Sequence, residues 1–275
     1  KSGENAIGVT IGDGWYRGEL GWEQKTNFYG KETSLLFQLV IKYADGSTQT
    51  IISDGSWKAS ASPMLTSEIY DGEIYDARLE QKNWMTHSFD DSKWKAVETK
   101  DGSNNILFAS TNELIKKHAI IKPIKNFTTP KGDQVLDFGQ NLVGWVNMNV
   151  SGKAGEKIIL SHAEAIDKHG NLYFENLRNA KAQDTYILKG EGIENYEPHF
   201  TFHGFRYVKV EGLTAAINPD NFTAIALYSA MPPSGSFECS NPLVNQLQKN
   251  IQWSQRGNFL DVPTDCPQRD ERLGW

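Results

Sequence analysis

A chain of 275 residues with 39% hydrophobic composition can bury substantial cores, and its length predicts about two domains. Its net charge of −6, with no basic cluster, excludes a surface built to track the phosphate backbone of nucleic acid. No apolar run approaches the roughly 20 residues that a membrane helix requires, so no membrane span is predicted.

From Asn5 to about Leu114 the pattern is one of strands and turns. "NAIGVTIGDGWYRG" reads as a β-rich run, a turn at Gly12-Asp13-Gly14 and then an aromatic run. Leu35, Phe37, Leu39 and Ile41 alternate with polar residues, Ala44-Asp45-Gly46 turns the chain, and Ile51 and Ile52 bring it back, which predicts a β-hairpin. "EIYDGEIYDARLE" repeats Glu-Ile-Tyr-Asp at 68–71 and 73–76, too short a period for a solenoid. A turn between alternating strand residues is the leading reading there, although acids and tyrosines also suit calcium or sugar. "SFDDSKWKAV" adds a strand edge, and residues 1–118 together predict a β-sandwich.

After Pro123 and Pro130 a second β-rich block begins at "QVLDFGQNLVGWV". Val146, Met148 and Val150 alternate, "SGKAG" turns the chain, and Ile158 and Leu160 resume the pattern. Tyr186 and Leu188 follow, then Phe200, Phe202, Phe205, Tyr207, Val208 and Val210. Residues 119–230 therefore predict a second antiparallel sandwich, with His203 a structural histidine among aromatic core residues. Eight Trp, ten Tyr and thirteen Phe would equally serve as sugar-stacking platforms, but core packing is the leading reading for any single ring.

The texture changes at residue 231. A Pro-Pro-Ser-Gly linker leads to Ser240 as a helix N-cap and Pro242 in the first turn. Leu243, Leu247 and Ile251 recur at four-residue spacing beside Val244, and Gly257 offers an end, so a helix is predicted here. Cys239 and Cys266 have no zinc-site spacing; one disulfide and two buried thiols both stay open. Lys1 runs almost directly into an apolar stretch with no secretory leader, which reads as a chain whose beginning lies elsewhere. Localisation and oligomeric state are not fixed by these features.

The closing "DVPTDCPQRDERLGW" sets Asp261, Asp265, Asp270 and Glu271 among Arg269 and Arg272. Pro263 and Pro267 argue against a regular helix across its first half, so a shaped loop is predicted, where catalytic groups concentrate. By composition alone a surface loop of weak Asp–Arg pairs, each contributing about 0–1 kcal/mol, is the leading reading. Glycoside hydrolysis would also suit the residues, because it needs one carboxylic acid to protonate the departing oxygen and a second carboxylate across the sugar. Asp270 and Asp265 would supply the negative field that keeps a proton on Glu271, and Trp275 would pack on the sugar face.

The closing stretch resembles, nearly residue for residue, the motif that opens the catalytic domain of bacterial α-L-rhamnosidases, glycoside hydrolase family 78. "NAIGVTIGDGWYRG", "YADGSTQTIISDGSWKA" and "IYDGEIYDAR" are similar to that family's N-terminal sandwich. "LDFGQNLVGWV", "SHAEAIDKHGNLYFENLRNAKAQDTYILKG" and "FTFHGFRYVKVEG" are similar to its second sandwich. The resemblance implies a mainly β chain of two sandwiches, 1–118 and 119–230, followed at 231–275 by the first helix of an (α/α)6 barrel. It further implies inverting hydrolysis of terminal α-L-rhamnosyl residues, with Glu271 as general acid and Asp265 on the sugar. Asp270 and Trp275 complete the candidate substrate contacts. The family's general base lies far downstream in the barrel, so these 275 residues alone are expected to be inactive. No cofactor is implied. Related N-terminal sandwiches can bind sugar, sometimes with calcium, and Asp13, Trp15, Asp71 and Asp76 are the residues to examine for that. The alternative to an enzyme is a carbohydrate-binding or scaffold module without catalysis.

Overall fold

The computed structural model describes residues 3–21, 23–102 and 107–271. Its centre is a curled ten-stranded sheet. Along the hydrogen-bonded path the strands are Met64–Glu68, Gly72–Asp76, Gln183–Ile187, Lys157–Ala163, His203–Glu211, Gln134–Val150, Phe222–Ser229 and Ile115–Ile121. Lys125–Thr128 and Glu194–Tyr196 also pair with Gln134–Val150, so this 17-residue strand has four partners. Gly144 adopts φ +157°, and a Cβ there would lie 1.9 Å from the Ile225 carbonyl oxygen, so only glycine lets the two strands meet.

Alternation built this core. Leu136, Phe138, Leu142, Val146, Met148 and Val150 of one strand share a single core cluster with Ile158, Leu160, Tyr186, Phe205, Val208 and Val210 of three other strands of the sheet. Phe138 and Phe205 pack edge to face at 5.8 Å between centroids.

One join crosses the predicted sandwich boundary. The Glu-Ile-Tyr-Asp repeat folds as an antiparallel hairpin whose second strand, Gly72–Asp76, continues the large sheet by pairing parallel with Gln183–Ile187. The Glu68 carboxylate closes the hairpin turn, accepting from the backbone N–H groups of Tyr70 at 2.6 Å and Asp71 at 2.8 Å. The predicted hairpin also forms, Gln38–Lys42 against Thr48–Ile52, with Gly46 at φ +86°. Residues 5–12, read as strand, carry no regular strand, and the aromatic run after them is a single helical turn, Gly14–Arg17.

The helix spans Pro242–Gly257. Asn241, not Ser240, is its N-cap, accepting from the Leu243 N–H at 3.0 Å. The structure seats the helix by its C-terminal turns: Trp253 packs on the main core and the Arg256 guanidinium lies over Tyr228. Leu243, Leu247 and Ile251 stay exposed. Periodicity marks an apolar stripe but not what that stripe meets. Cys239 and Cys266 are free thiols.

Candidate active site

Residues 258–271 form the shaped loop that the two prolines predict, and it lies against the sheet. A short turn, Phe259–Leu260 against Val262–Pro263, starts it. Leu260 is buried with Val143, Ile225 and Leu227, while the Asp261 N–H donates to the Ser229 hydroxyl at 2.9 Å. Thr264 N–H donates to the Asn258 carbonyl at 2.8 Å, which fixes the exit from the helix. Further on, Gln268 sits directly on Gly204 of the His203–Glu211 strand.

The acidic run is held by a segment that sequence reasoning did not single out. Arg178 and Asn179 follow the 3-10 turn Glu175–Leu177, with Arg178 in the left-handed region at φ +57°. Arg178 Nη1 lies 3.2 Å from Glu271 Oε2, and Arg269 Nη2 lies 2.5 Å from the same oxygen. The Asn179 N–H donates to Asp270 Oδ2 at 3.3 Å. Asp270 is fully buried, and its Oδ1 has no hydrogen-bond partner among the described residues. Glu164 faces Arg269 from below, held by Asn141 Nδ2 at 2.9 Å, and burial raises its carboxyl above the ordinary range against the opposing pull of Asn141 and Arg269. Neither Arg178 nor Glu164 carries a local motif; a left-handed backbone and a contact across about ninety residues are tertiary facts.

Asp265, Cys266 and Glu271 each bring one donor atom within 4.8 Å of the others. This trio is a poor metal centre. Burial pushes the Cys266 thiol up, so it stays protonated, and two guanidinium groups already occupy Glu271. Asp265 and Glu271 do come together, and the neighbouring Asp270 is fully buried. Trp275 lies outside the described residues.

The N-terminal candidates do not converge. Asp13 pairs with Arg17 at 3.2 Å, Asp71 pairs with Lys181, and buried Asp76 is gripped by Arg78 through Nε at 2.8 Å and Nη2 at 2.7 Å. Trp15 packs edge to face on Tyr70 at 5.6 Å. Three acids with three separate cations leave no shared oxygen cage of the kind calcium takes. An N-terminal acid outside that set does approach the acidic loop. Glu19 shares its surroundings with Glu68, Asp71, Lys181 and Asp270; burial first and these acids next raise its carboxyl. The N-terminal segment thus reaches the flank of the candidate site.

Three successive family profiles cover nearly the whole chain: the α-L-rhamnosidase N-terminal domain at residues 1–119, the bacterial α-L-rhamnosidase concanavalin-like domain at 127–228, and the bacterial α-L-rhamnosidase 6 hairpin glycosidase domain at 232–275. The chain belongs to the bacterial α-L-rhamnosidase family. An α-L-rhamnosidase of Streptomyces avermitilis is 43% identical across all of this chain, and one of Formosa agariphila is 41% identical. The chain spans 27% and 30% of the lengths of these two relatives. Among solved structures, the native α-L-rhamnosidase of Aspergillus terreus matches 96% of this chain and 31% of its own length, at TM-score 0.93 and 46% identity. The S. avermitilis α-L-rhamnosidase complexed with L-rhamnose matches 96% of this chain and 26% of its own length, at TM-score 0.90 and 43% identity. The mainly β architecture with one long helix is therefore that of the corresponding portions of these rhamnosidases.

Proposed function

We propose that this chain is the N-terminal portion of an inverting α-L-rhamnosidase that hydrolyses terminal α-L-rhamnosyl residues of glycans or glycosides. In this reading Glu271 is the general acid, and Asp265, Asp270 and Trp275 serve the sugar. The observation that carries it is the seating of the Asp265–Glu271 run: Gln268 on Gly204, Asp270 on the Asn179 N–H, and Glu271 between Arg178 and Arg269. A loop seated on the sheet at Gly204 and on the turn at Arg178 and Asn179 is suited to placing an acid against a glycosidic oxygen.

Inversion needs acid and base about 6.5–9.5 Å apart, with a water between them. The family resemblance gives Asp265 to sugar binding and the base to residues outside these 275, and one oxygen each of Asp265 and Glu271 within 4.8 Å is in keeping with that division. On that reading the 275 residues alone do not turn over substrate. Proton delivery also requires that Glu271 leave at least one guanidinium.

The remaining chain, 1–118 and 119–230, is proposed as two sandwich domains that act as scaffold for this loop. The test is hydrolysis of an aryl α-L-rhamnoside, beside other aryl glycosides, by the full-length parent with and without Glu271→Gln. Cleavage of the rhamnoside alone, with a loss of several orders of magnitude in the variant, is expected. Cleavage of a different sugar would overturn the substrate, and a fully active variant would overturn the acid.

A further inference from the structure

Three buried side chains beneath the closing loop are unused by this chemistry. His162 on Lys157–Ala163, Asp184 on Gln183–Ile187 and His203 on His203–Glu211 come from three adjacent strands, and none is exposed to solvent. His203 Nε2 lies 3.2 Å from both Asp184 oxygens, and His162 Nε2 lies 3.9 Å from Asp184 Oδ2. One donor atom from each of the three falls within 4.8 Å of the others.

Two of the buried aspartates of the sheet are neutralised by arginine, and Asp184 is not. Buried Asp137 has Arg206 at 2.8 and 3.0 Å, and buried Asp76 has Arg78. Asp184 has no lysine or arginine partner among the described residues; its contacts are the two imidazoles and the Glu73 N–H at 3.1 Å. Buried charges are ordinarily paired or bound to a metal. His162 sharpens the point. Its Nδ1 lies 2.9 Å from the Ala182 carbonyl oxygen, which can only accept, so Nδ1 carries the proton. Burial, then His203, keeps this imidazole neutral. Its Nε2 therefore directs a lone pair toward a carboxylate oxygen, has no hydrogen-bond partner among the described residues, and is wholly buried. Two acceptors facing each other in a dry interior call for a cation between them.

We propose that His162, Asp184 and His203 form a structural site for a divalent transition metal of the zinc class. Tetrahedral zinc, with ligands at about 2.0–2.2 Å, sets them about 3.4 Å apart, within roughly half an ångström of the two separations to Asp184. Imidazole nitrogens select this class over calcium or magnesium. A histidine ligand whose second nitrogen donates to a backbone carbonyl, as His162 does to Ala182, is the usual outer-shell arrangement. The three side chains fill three of the four tetrahedral positions, and their lack of solvent access suits fastening three strands more than activating water. His203 precedes Gly204, so the metal would also firm the floor under Gln268.

The test is elemental analysis of the chain purified without a metal-affinity tag, followed by cobalt titration of the chelator-stripped protein. About one zinc per chain is expected, with the visible absorption of tetrahedral cobalt on titration and a melting temperature raised by zinc. His162→Gln and Asp184→Asn should each lose the bound metal, and Cys266→Ser should keep it. A wild-type chain with no transition metal, no cobalt spectrum and no thermal response to zinc would overturn the proposal, whether or not the variants fold. So would loss of the cobalt spectrum in Cys266→Ser, which would place the metal in the closing loop.

Discussion

Gly204 and Gln268 touch so closely that a Cβ on Gly204 would lie 3.0 Å from the Gln268 Cβ and 3.1 Å from its backbone nitrogen. The sheet and the acidic loop therefore meet backbone to backbone, with no side chain between them to absorb error. Gly204→Ala should push the loop outward and leave the strand intact. In the full-length parent we expect kcat/KM on an aryl α-L-rhamnoside to fall about ten- to hundredfold, with a small change in melting temperature. Unchanged kinetics would show that the loop is not placed by this contact.

Gly72 makes the corresponding contact at the other end of the sheet. It sits at φ +110°, and a Cβ there would lie 1.9 Å from the Gln183 carbonyl oxygen. Gly72→Ala should break the parallel join between Gly72–Asp76 and Gln183–Ile187 and destabilise the chain by about 3 kcal/mol, read from the urea midpoint.

Asp137 is buried and held by Arg206, with Lys125 Nζ 3.9 Å away. Burial opposes its ionisation, but Arg206 and the Gly139 N–H together hold its carboxyl below the usual range. Arg206→Ala should cost about 2–3 kcal/mol. That is less than the 3–5 typical of a fully buried pair, because Arg206 is partly exposed and Lys125 remains. Arg206→Lys should recover only part of the loss, since the two-point contact is gone.

His199 donates to the buried Glu73 carboxylate, and this bond raises its imidazole above the ordinary 6.5 despite partial burial. The folded chain therefore holds this proton more tightly than the unfolded chain does. The resulting stabilisation is full below about pH 6.5 and is lost as pH rises through the folded value. The melting temperature of wild type should fall more steeply between about pH 6 and 8 than that of His199→Gln. Parallel slopes would remove His199 from the account.

Much of the architecture was legible because alternation is a local rule. Val146, Met148 and Val150, and likewise Ile158 and Leu160, show their facing two residues at a time, and the hairpin around Gly46 declares itself by turn chemistry. The Pro242–Gly257 helix was equally plain, though its cap moved by one residue, since Ser240 and Asn241 are both competent and the backbone chose. The repeat at 68–76 showed a turn but not its destination, because parallel pairing with Gln183–Ile187 joins strands more than a hundred residues apart.

The sequence by itself determined the β-rich class, the helix, and the acidic run that carries the family resemblance, since each rests on residues adjacent in the chain. Only the tertiary structure decided what surrounds that run. Arg178 reaches Glu271, the Asn179 N–H reaches Asp270, and Glu164 lies under Arg269. The pairing of Asp13, Asp71 and Asp76 with three different cations was likewise decided in space. So was the gathering of His162, Asp184 and His203 in one dry interior. Charge and coordination depend on distance across the fold, and sequence spacing does not encode that distance.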